Sequence, residues 1–210
     1  MTLVRLVLAT ANPDKAAEIA DLLAGTGVEV VARPPQVGDV DETGETLEEN
    51  ARLKALAVAA AAGEPAVADD TGLEVDALDG RPGVYAARYA GESATYADNV
   101  AKLLAELEGV GAVGDEARRA RFRTVAVVCW PDGREVVAEG CVEGHIAGSA
   151  RGQGGFGYDP VFVPDGSGGR TYADMTLADK QAISHRGRAF RALAAVLAPR
   201  VPPTDDEPAP

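Results

Sequence analysis

The stretch from Val4 to Gly25 restricts the fold more than any other part of the chain. "VRLVLA" is a short, β-branched apolar run and reads as a buried strand. "NPDKAAEIADLLAG" follows through a tight turn, with Asn12 as N-cap, Pro13 at the first helical position, apolar residues at helical spacing and Gly25 as the stop. "VEVVA" is the next strand. A strand that feeds directly into a helix and then into a second strand belongs to a sheet covered by helices.

The alternation continues. "TLEENARLKALAVAAAAGEP" opens on a capping box, Thr46 with Glu49, and closes on Gly63 and Pro65, the marks of a helix. "PAVAD" and "LEVDAL" read as two strands separated by a turn, since Asp and the nearby Gly72 are turn formers. "TYADNVAKLLAELEG" is a helix. "RFRTVAVVCW" and "REVVAEGCVEGHIAG", joined by "PDG", form a hairpin. "PVFVP" is a short strand, and a last helix starts near Ser184 and runs through "RAFRALAAVLA". This order gives an α/β fold with a mixed sheet. The expected organisation is one domain over residues 1–200, with a second lobe at about 115–170. The acidic, Pro-rich tail at 201–210 is expected to be disordered.

The formal net charge is −13, so a general nucleic-acid binder, which needs a basic footprint, is not expected. A small anionic ligand needs only a local cluster of Lys, Arg and backbone N–H groups. The apolar run at the N-terminus is too short for a membrane span, is interrupted by Arg5 and lacks the layout of a secretory signal. Cys129 and Cys141 have no metal-type spacing, and both lie in apolar strand-like runs, so buried free thiols in a reducing, cytoplasmic setting are expected.

Five stretches carry candidate chemistry. In "ATANPDK", Lys15 lies in the first turn of a helix, where the dipole disfavours a cation, but the free N–H groups and the ammonium would converge on phosphate. In "PAVADDTGLEVD", two adjacent aspartates close an apolar run. A turn accounts for them locally; a metal site with Glu42, from the loop "DETGETLEEN", is the functional alternative, because Mg²⁺ is usually bound by one or two carboxylates plus substrate phosphates. In "GQGGFGYDPVF", the glycines let backbone approach a ligand and Phe156 could stack on a flat base or plug the core. In "KQAISHRGRAF", His185 and Arg186 open a helix, and Lys180 and Arg188 complete a basic patch suited to an anion or a keto-rich base.

Taken together, "ATANPDK", "ETGETLEENARLKA", "ADDTGLEVDALDGRPGVYAARY", "GGFGYDPVF" and "SHRGRA", in this order, resemble the inosine triphosphate pyrophosphatase family, the non-canonical purine nucleoside triphosphate pyrophosphatases. The resemblance covers nearly the whole chain. It implies an elongated, two-lobed α/β fold around a long mixed sheet, a substrate cleft between the lobes, and a homodimer. It implies hydrolysis of ITP, dITP or XTP to the monophosphate and diphosphate. Phosphate would be held by Thr10, Ala11, Asn12, Pro13, Asp14 and Lys15, with Lys54 assisting. Mg²⁺ would sit on Glu42 and Asp70, and Asp70 would also be the proton acceptor. Thr71, Phe156, Gly157, Tyr158, Asp159, Lys180, His185 and Arg186 would hold substrate. Ala11 replaces a common glycine and Thr71 a common serine; neither changes a charge. Since neighbouring strand residues point to opposite faces, Asp69 is expected to have a structural or orienting role instead. A pyrophosphatase for other modified nucleotides, or a non-catalytic nucleotide-binding module, are the alternatives.

Overall fold

The computed structural model describes residues 4–35, 37–38 and 40–198; the tail at 201–210 lies outside the described residues. The strands are β1 (Val4–Leu8), β2 (Val28–Val31), β3 (Ala66–Val75), β4 (Pro82–Gly83), β5 (Arg119–Cys129), β6 (Glu135–Ile146) and β7 (Phe162–Pro164). The helices are α1 (Pro13–Leu23), α2 (Leu47–Ala62), α3 (Tyr96–Gly109), α4 (Leu177–Ile183) and α5 (His185–Leu197). They form a seven-stranded sheet in the order β2-β1-β3-β5-β6-β7, with β4 also paired to β3. β1 is parallel to β2 and β3, and the other pairings are antiparallel, so the sheet is mixed as expected. No helix among the described residues is long and apolar enough to cross a membrane.

Local chemistry sets the helix ends. The Asn12 side chain caps α1 by accepting from the N–H groups of Asp14 and Lys15. The Thr46–Glu49 capping box opens α2, and Gly63, left-handed at φ 66°, closes it. The sequence reading missed α4, whose 7 residues are too few to show a helical period. Ser184 ends α4 and starts α5, its hydroxyl accepting from the Gly187 N–H.

The expected break between "PAVAD" and "LEVDAL" does not exist. β3 runs unbroken from Ala66 to Val75, with Asp70, Thr71 and Gly72 paired to Val125, Thr124 and Arg123 of β5. Gly72 marks a close approach, not a turn: a Cβ there would lie 3.0 Å from the Gly83 carbonyl oxygen and 3.3 Å from Leu47. The aspartates need no turn to reach water because cations inside the fold pair with them.

One face of the sheet is buried along its whole length. Val67, Ala126, Val128 and Ala138 pack with Ile19 and Leu23 of α1 and with Phe190 and Leu193 of α5. Farther along the same strands, Leu73, Val75, Phe122, Val142 and Ile146 pack with Val100, Leu103 and Leu107 of α3. Between these two apolar clusters, strand alternation places Asp69 and Thr71 on β3 and Thr124 on β5, forming a polar seam. The opposite face is covered by α2 over Ala66, Ala68, Val125 and Val127. Beyond α2 it carries an ion-pair ladder in which Arg121 and Arg123 lie between Glu74 of β3 and Glu143 and Glu139 of β6. Cys129 is buried as expected in the cluster under α2, whereas Cys141 on the ladder face, outside that cluster, is only half-buried; both thiols are free.

Candidate active site

The site lies where one edge of β3 lacks a strand. β1 pairs with β3 only at Ala66 and Val67, and β4 pairs with it only at Leu73 and Glu74. Within that gap, Asp70 and Thr71 line a pocket of about 330 Å³, together with Ala9 and Thr10 just past the C-terminal end of β1. Such an end, where the connection leaves the sheet, is a common place for ligands in α/β folds.

Asp69 and Asp70 point to opposite faces, as the alternation requires. Asp70 meets α2, with Lys54 Nζ 3.1 Å from its Oδ1. The same ammonium is 2.7 Å from Glu42 Oε1, so Lys54 draws the two carboxylates together. Asp70 Oδ2 is buried and has no hydrogen-bond partner. Burial, more than any other influence, raises the Asp70 pKa above its ordinary value, against the pull of Lys54. Burial acts the same way on Glu42, but there attraction to Lys54 wins and the pKa falls. For Lys54, burial opposes the charge, yet Asp70 and Glu42 hold its pKa above the usual lysine value.

Asp69 faces α1 and α5. Its Oδ2 accepts from Arg186 Nε at 3.1 Å and lies 3.6 Å from Lys15 Nζ. Burial raises its pKa, but Lys15 and Arg186 outweigh that and push it far below the usual carboxylate range. The orienting role expected of Asp69 thus has its partners. Lys15 is half-buried, and desolvation lowers its pKa despite the neighbouring aspartates.

The expected free N–H groups at the start of α1 are not free. Asn12 Oδ1 takes those of Asp14 and Lys15 at 2.9 and 3.2 Å, and Asn12 in turn donates from Nδ2 to the Tyr96 hydroxyl at 3.0 Å. Thr10, Ala11, Asn12 and Lys15 line the pocket, while Pro13 and Asp14 do not. The Asp14 carboxylate instead accepts from Tyr96 at 3.2 Å.

The expected open basic patch is also absent. Arg186 is 2% exposed and Lys180 4% exposed, and both are paired inside the fold. Arg186 bonds to Glu18 and Asp69; Lys180 donates to Asp159 at 2.7 Å and lies 3.2 Å from Glu18 Oε1. Arg188 is exposed and donates to the Cys141 carbonyl, outside the pocket lining. An Arg or Lys this deep requires carboxylate partners, and α1, β3 and the loop ending at Asp159 supply them. Both cations still reach the pocket wall, where Lys180 Nζ is 4.8 Å and Arg186 Cζ 5.6 Å from the Phe156 ring centre.

The loop at 152–159 is shaped by its glycines. Asp159 Oδ2 accepts from the Phe156 N–H at 2.9 Å, and a Cβ on Gly155 would sit 2.0 Å from that same oxygen. This fixes Phe156 against the cations and, with Gly157, Tyr158 and Asp159, in the pocket lining. Tyr158 donates to the Ala86 carbonyl at 2.9 Å. His185 stacks on Phe122 with ring centres 4.5 Å apart, and burial, helped by Arg186 and Lys180, holds its pKa well below 6.5.

The sequence reading missed Glu18, Tyr96, Asn99, Phe122 and Thr124. Two of these carried a signal: Glu18 sits with Ile19 and Leu23 on the buried stripe of α1, and Thr124 interrupts the buried alternation Phe122, Ala126, Val128 on β5. Among the described residues no group of three or more His, Cys, Asp or Glu side chains could hold a metal. Glu42 and Asp70 alone do suit a hard cation whose remaining ligands are water and substrate oxygen, since they converge on one positive charge and leave one buried carboxylate oxygen unpartnered.

The Ham1 family model matches residues 6–196. The dITP/XTP pyrophosphatase of Nitratidesulfovibrio vulgaris is 53% identical over 201 residues, covering 92% of this chain and 95% of that protein. The dITP/XTP pyrophosphatase of Symbiobacterium thermophilum is 50% identical over 186 residues, covering 89% and 91%. The solved structure of a HAM1 protein from Coxiella burnetii superposes with a TM-score of 0.83 at 40% identity, covering 93% of this chain and 98% of that one. A family match that spans both apolar clusters and the polar seam between them, with relatives of the same length, leaves one assignment: the chain belongs to the Ham1 family.

Proposed function

We propose that this protein hydrolyses the non-canonical purine nucleoside triphosphates ITP, dITP and XTP to the monophosphate and diphosphate, with Mg²⁺. The observation that carries the reading is the convergence on one pocket of Lys15, Lys54, Glu42, Asp70, Phe156, Lys180, His185 and Arg186, drawn from separate elements. The similarity to the dITP/XTP pyrophosphatases of Nitratidesulfovibrio vulgaris and Symbiobacterium thermophilum supports it. Following the resemblance, the protein works in the cytoplasm as a homodimer.

Lys15, Lys54, Lys180 and Arg186 each already face a carboxylate, so these four cations alone offer a triphosphate little net positive charge. Glu42 and Asp70 would hold Mg²⁺, which would neutralise charge on the phosphates and polarise the reacting phosphoryl group. Lys15 sits beside the turn after β1 and binds phosphate oxygen. Asp70, its pKa raised by burial, accepts the proton of the attacking water. The water oxygen bonds to the α-phosphorus as the bond to the bridging oxygen breaks, and diphosphate leaves. Phe156 stacks on the base. Arg186 and Lys180 keep N–H groups beyond those given to Glu18, Asp69, Thr71 and Asp159, and these would meet the 6-keto oxygen. Adenine would present an amino donor to the same donors.

The test is to incubate the purified protein with ITP, dITP, XTP, GTP and ATP, with Mg²⁺ or with EDTA, and to assay diphosphate against orthophosphate. The proposal expects diphosphate from ITP, dITP and XTP, little from ATP, and none with EDTA. Orthophosphate as the product, or equal turnover of ATP and ITP, would overturn it.

A further inference from the structure

We propose that Thr124 is a positioning residue whose hydroxyl fixes the tautomer of His185, so that the imidazole shows the substrate's base a lone pair and not an N–H. The inference rests on the nucleotide reading of the pocket given above.

Thr124 is fully buried at the polar seam. Its Oγ1 is 2.7 Å from His185 Nδ1 and 2.8 Å from Thr71 Oγ1. Thr71 Oγ1 receives an N–H from Arg186 Nη2 at 3.1 Å and lies 3.2 Å from Asp69 Oδ2. Asp69 Oδ2 also receives Arg186 Nε at 3.1 Å and faces Lys15, groups that only donate.

Proton counting gives this chain a direction. Each hydroxyl has one proton and two lone pairs. Asp69 is the terminal acceptor, so Thr71 donates to it. Thr71 then has no proton for Thr124, and Thr124 donates to Thr71. Thr124 in turn has no proton for His185, so Nδ1 carries the hydrogen and donates to Thr124. In the reverse direction Thr71 gives its proton to Thr124, and its contact with Asp69 becomes two acceptors facing each other. Only the forward direction satisfies every contact. His185 is neutral, held so by burial beside Arg186 and Lys180, so a hydrogen on Nδ1 leaves Nε2 as an acceptor.

The backbone is arranged to allow this contact. Gly140 of β6 is the register partner of Thr124, and a Cβ there would lie 2.0 Å from the His185 carbonyl oxygen. A glycine lets the first turn of α5 lie directly on the sheet, within reach of Thr124. Stacking on Phe122, with 19° between the planes, sets the ring's tilt. An Nε2 acceptor suits a base with a ring N–H beside its keto group, as hypoxanthine and xanthine have. Adenine carries a lone pair at that ring nitrogen, so acceptor would face acceptor.

The test uses ¹⁵N-labelled protein in a His145→Gln background, which leaves His185 as the sole histidine of the two. Two-bond ¹⁵N–¹H correlation reads which ring nitrogen is protonated. The proposal expects Nδ1–H in this background and in Thr124→Ser, and loss of that fixed state in Thr124→Val. The ratio of kcat/KM for ITP over ATP should fall about 5-fold in Thr124→Val, the factor one hydrogen bond of typical net strength carries, and be restored in Thr124→Ser. An Nε2–H tautomer with Thr124 intact, or a folded Thr124→Val protein with unchanged tautomer and ratio, would overturn it. Should Thr124→Val not fold, Thr71→Ala breaks the relay one link away and is judged by the same spectrum. If the protein releases diphosphate from no triphosphate, the functional reading fails, while the spectrum of the unmodified relay still decides the tautomer.

Discussion

Replacing Glu18 by alanine measures how far the buried charges of the site hold one another in place. Glu18 is 4% exposed, bonds to Arg186 and lies 3.2 Å from Lys180. Removing one partner of a buried ion pair typically costs about 3–5 kcal/mol, because the remaining charge is left without compensation. Here the loss is partial: Arg186 keeps Asp69, and Lys180 keeps Asp159. The lower end, about 3 kcal/mol, is therefore expected. With a urea m-value of about 2 kcal/mol per molar, the unfolding midpoint should drop by about 1.5 M. Urea titration followed by fluorescence of Trp130, the sole tryptophan, reads it directly. Adding Arg186→Met to Glu18→Ala removes the stranded guanidinium, so the double variant should lose less than the two singles summed. A midpoint for Glu18→Ala within about 0.3 M of the parent, at unchanged m, would refute the reasoning.

Asp70→Asn should lower turnover by at least about 10²–10⁴-fold, the usual loss for a general base, with the urea midpoint showing that the fold persists; a variant keeping a tenth of the parent rate would remove Asp70 from that role. Lys15→Ala should reduce kcat/KM for ITP, XTP and dITP by similar factors, since it faces phosphate and not base; a loss confined to one base would contradict this. His185 faces the cations Arg186, Lys180 and Lys15 and the anion Asp69, and its folded pKa lies well below the unfolded 6.5. Below about pH 6.5 the unfolded chain takes up a proton that the folded chain does not, so stability should fall as pH is lowered, and His185→Gln should flatten the urea midpoint over roughly pH 7 to 5. An equally steep pH dependence in that variant would exclude His185 as the source. Gly140→Ala, whose Cβ would meet the His185 carbonyl at 2.0 Å, should destabilise the protein by about 1–3 kcal/mol in the same titration, and an unchanged midpoint would show that α5 shifts freely.

Local signals carried most of the architecture. Caps on α1, α2 and α5 and the "PDG" hairpin were legible because each depends on a few adjacent residues. The continuity of β3 was not, because its pairing with β5 and the cations that meet its aspartates come from segments far away in sequence. The same distance explains the basic patch: "KQAISHR" gives no hint that Glu18 and Asp69 will neutralise Arg186. The motifs named residues that converge on one pocket, Pro13 and Asp14 excepted, whereas their ion-pair partners were set by packing.

The strand-free stretch of β3 also bears on solubility. An edge of main chain with no neighbouring strand is where a foreign strand would add itself and begin aggregation. At Ala68–Gly72 that edge is flanked on its two faces by the ion pairs of Asp69 and Asp70, and an incoming strand would have to bury its own side chains against these charges. The same acidic pair therefore guards the opening against other chains while leaving it open to a small polar ligand, and apolar replacement of both aspartates should yield a protein that self-associates at concentrations where the parent stays dispersed.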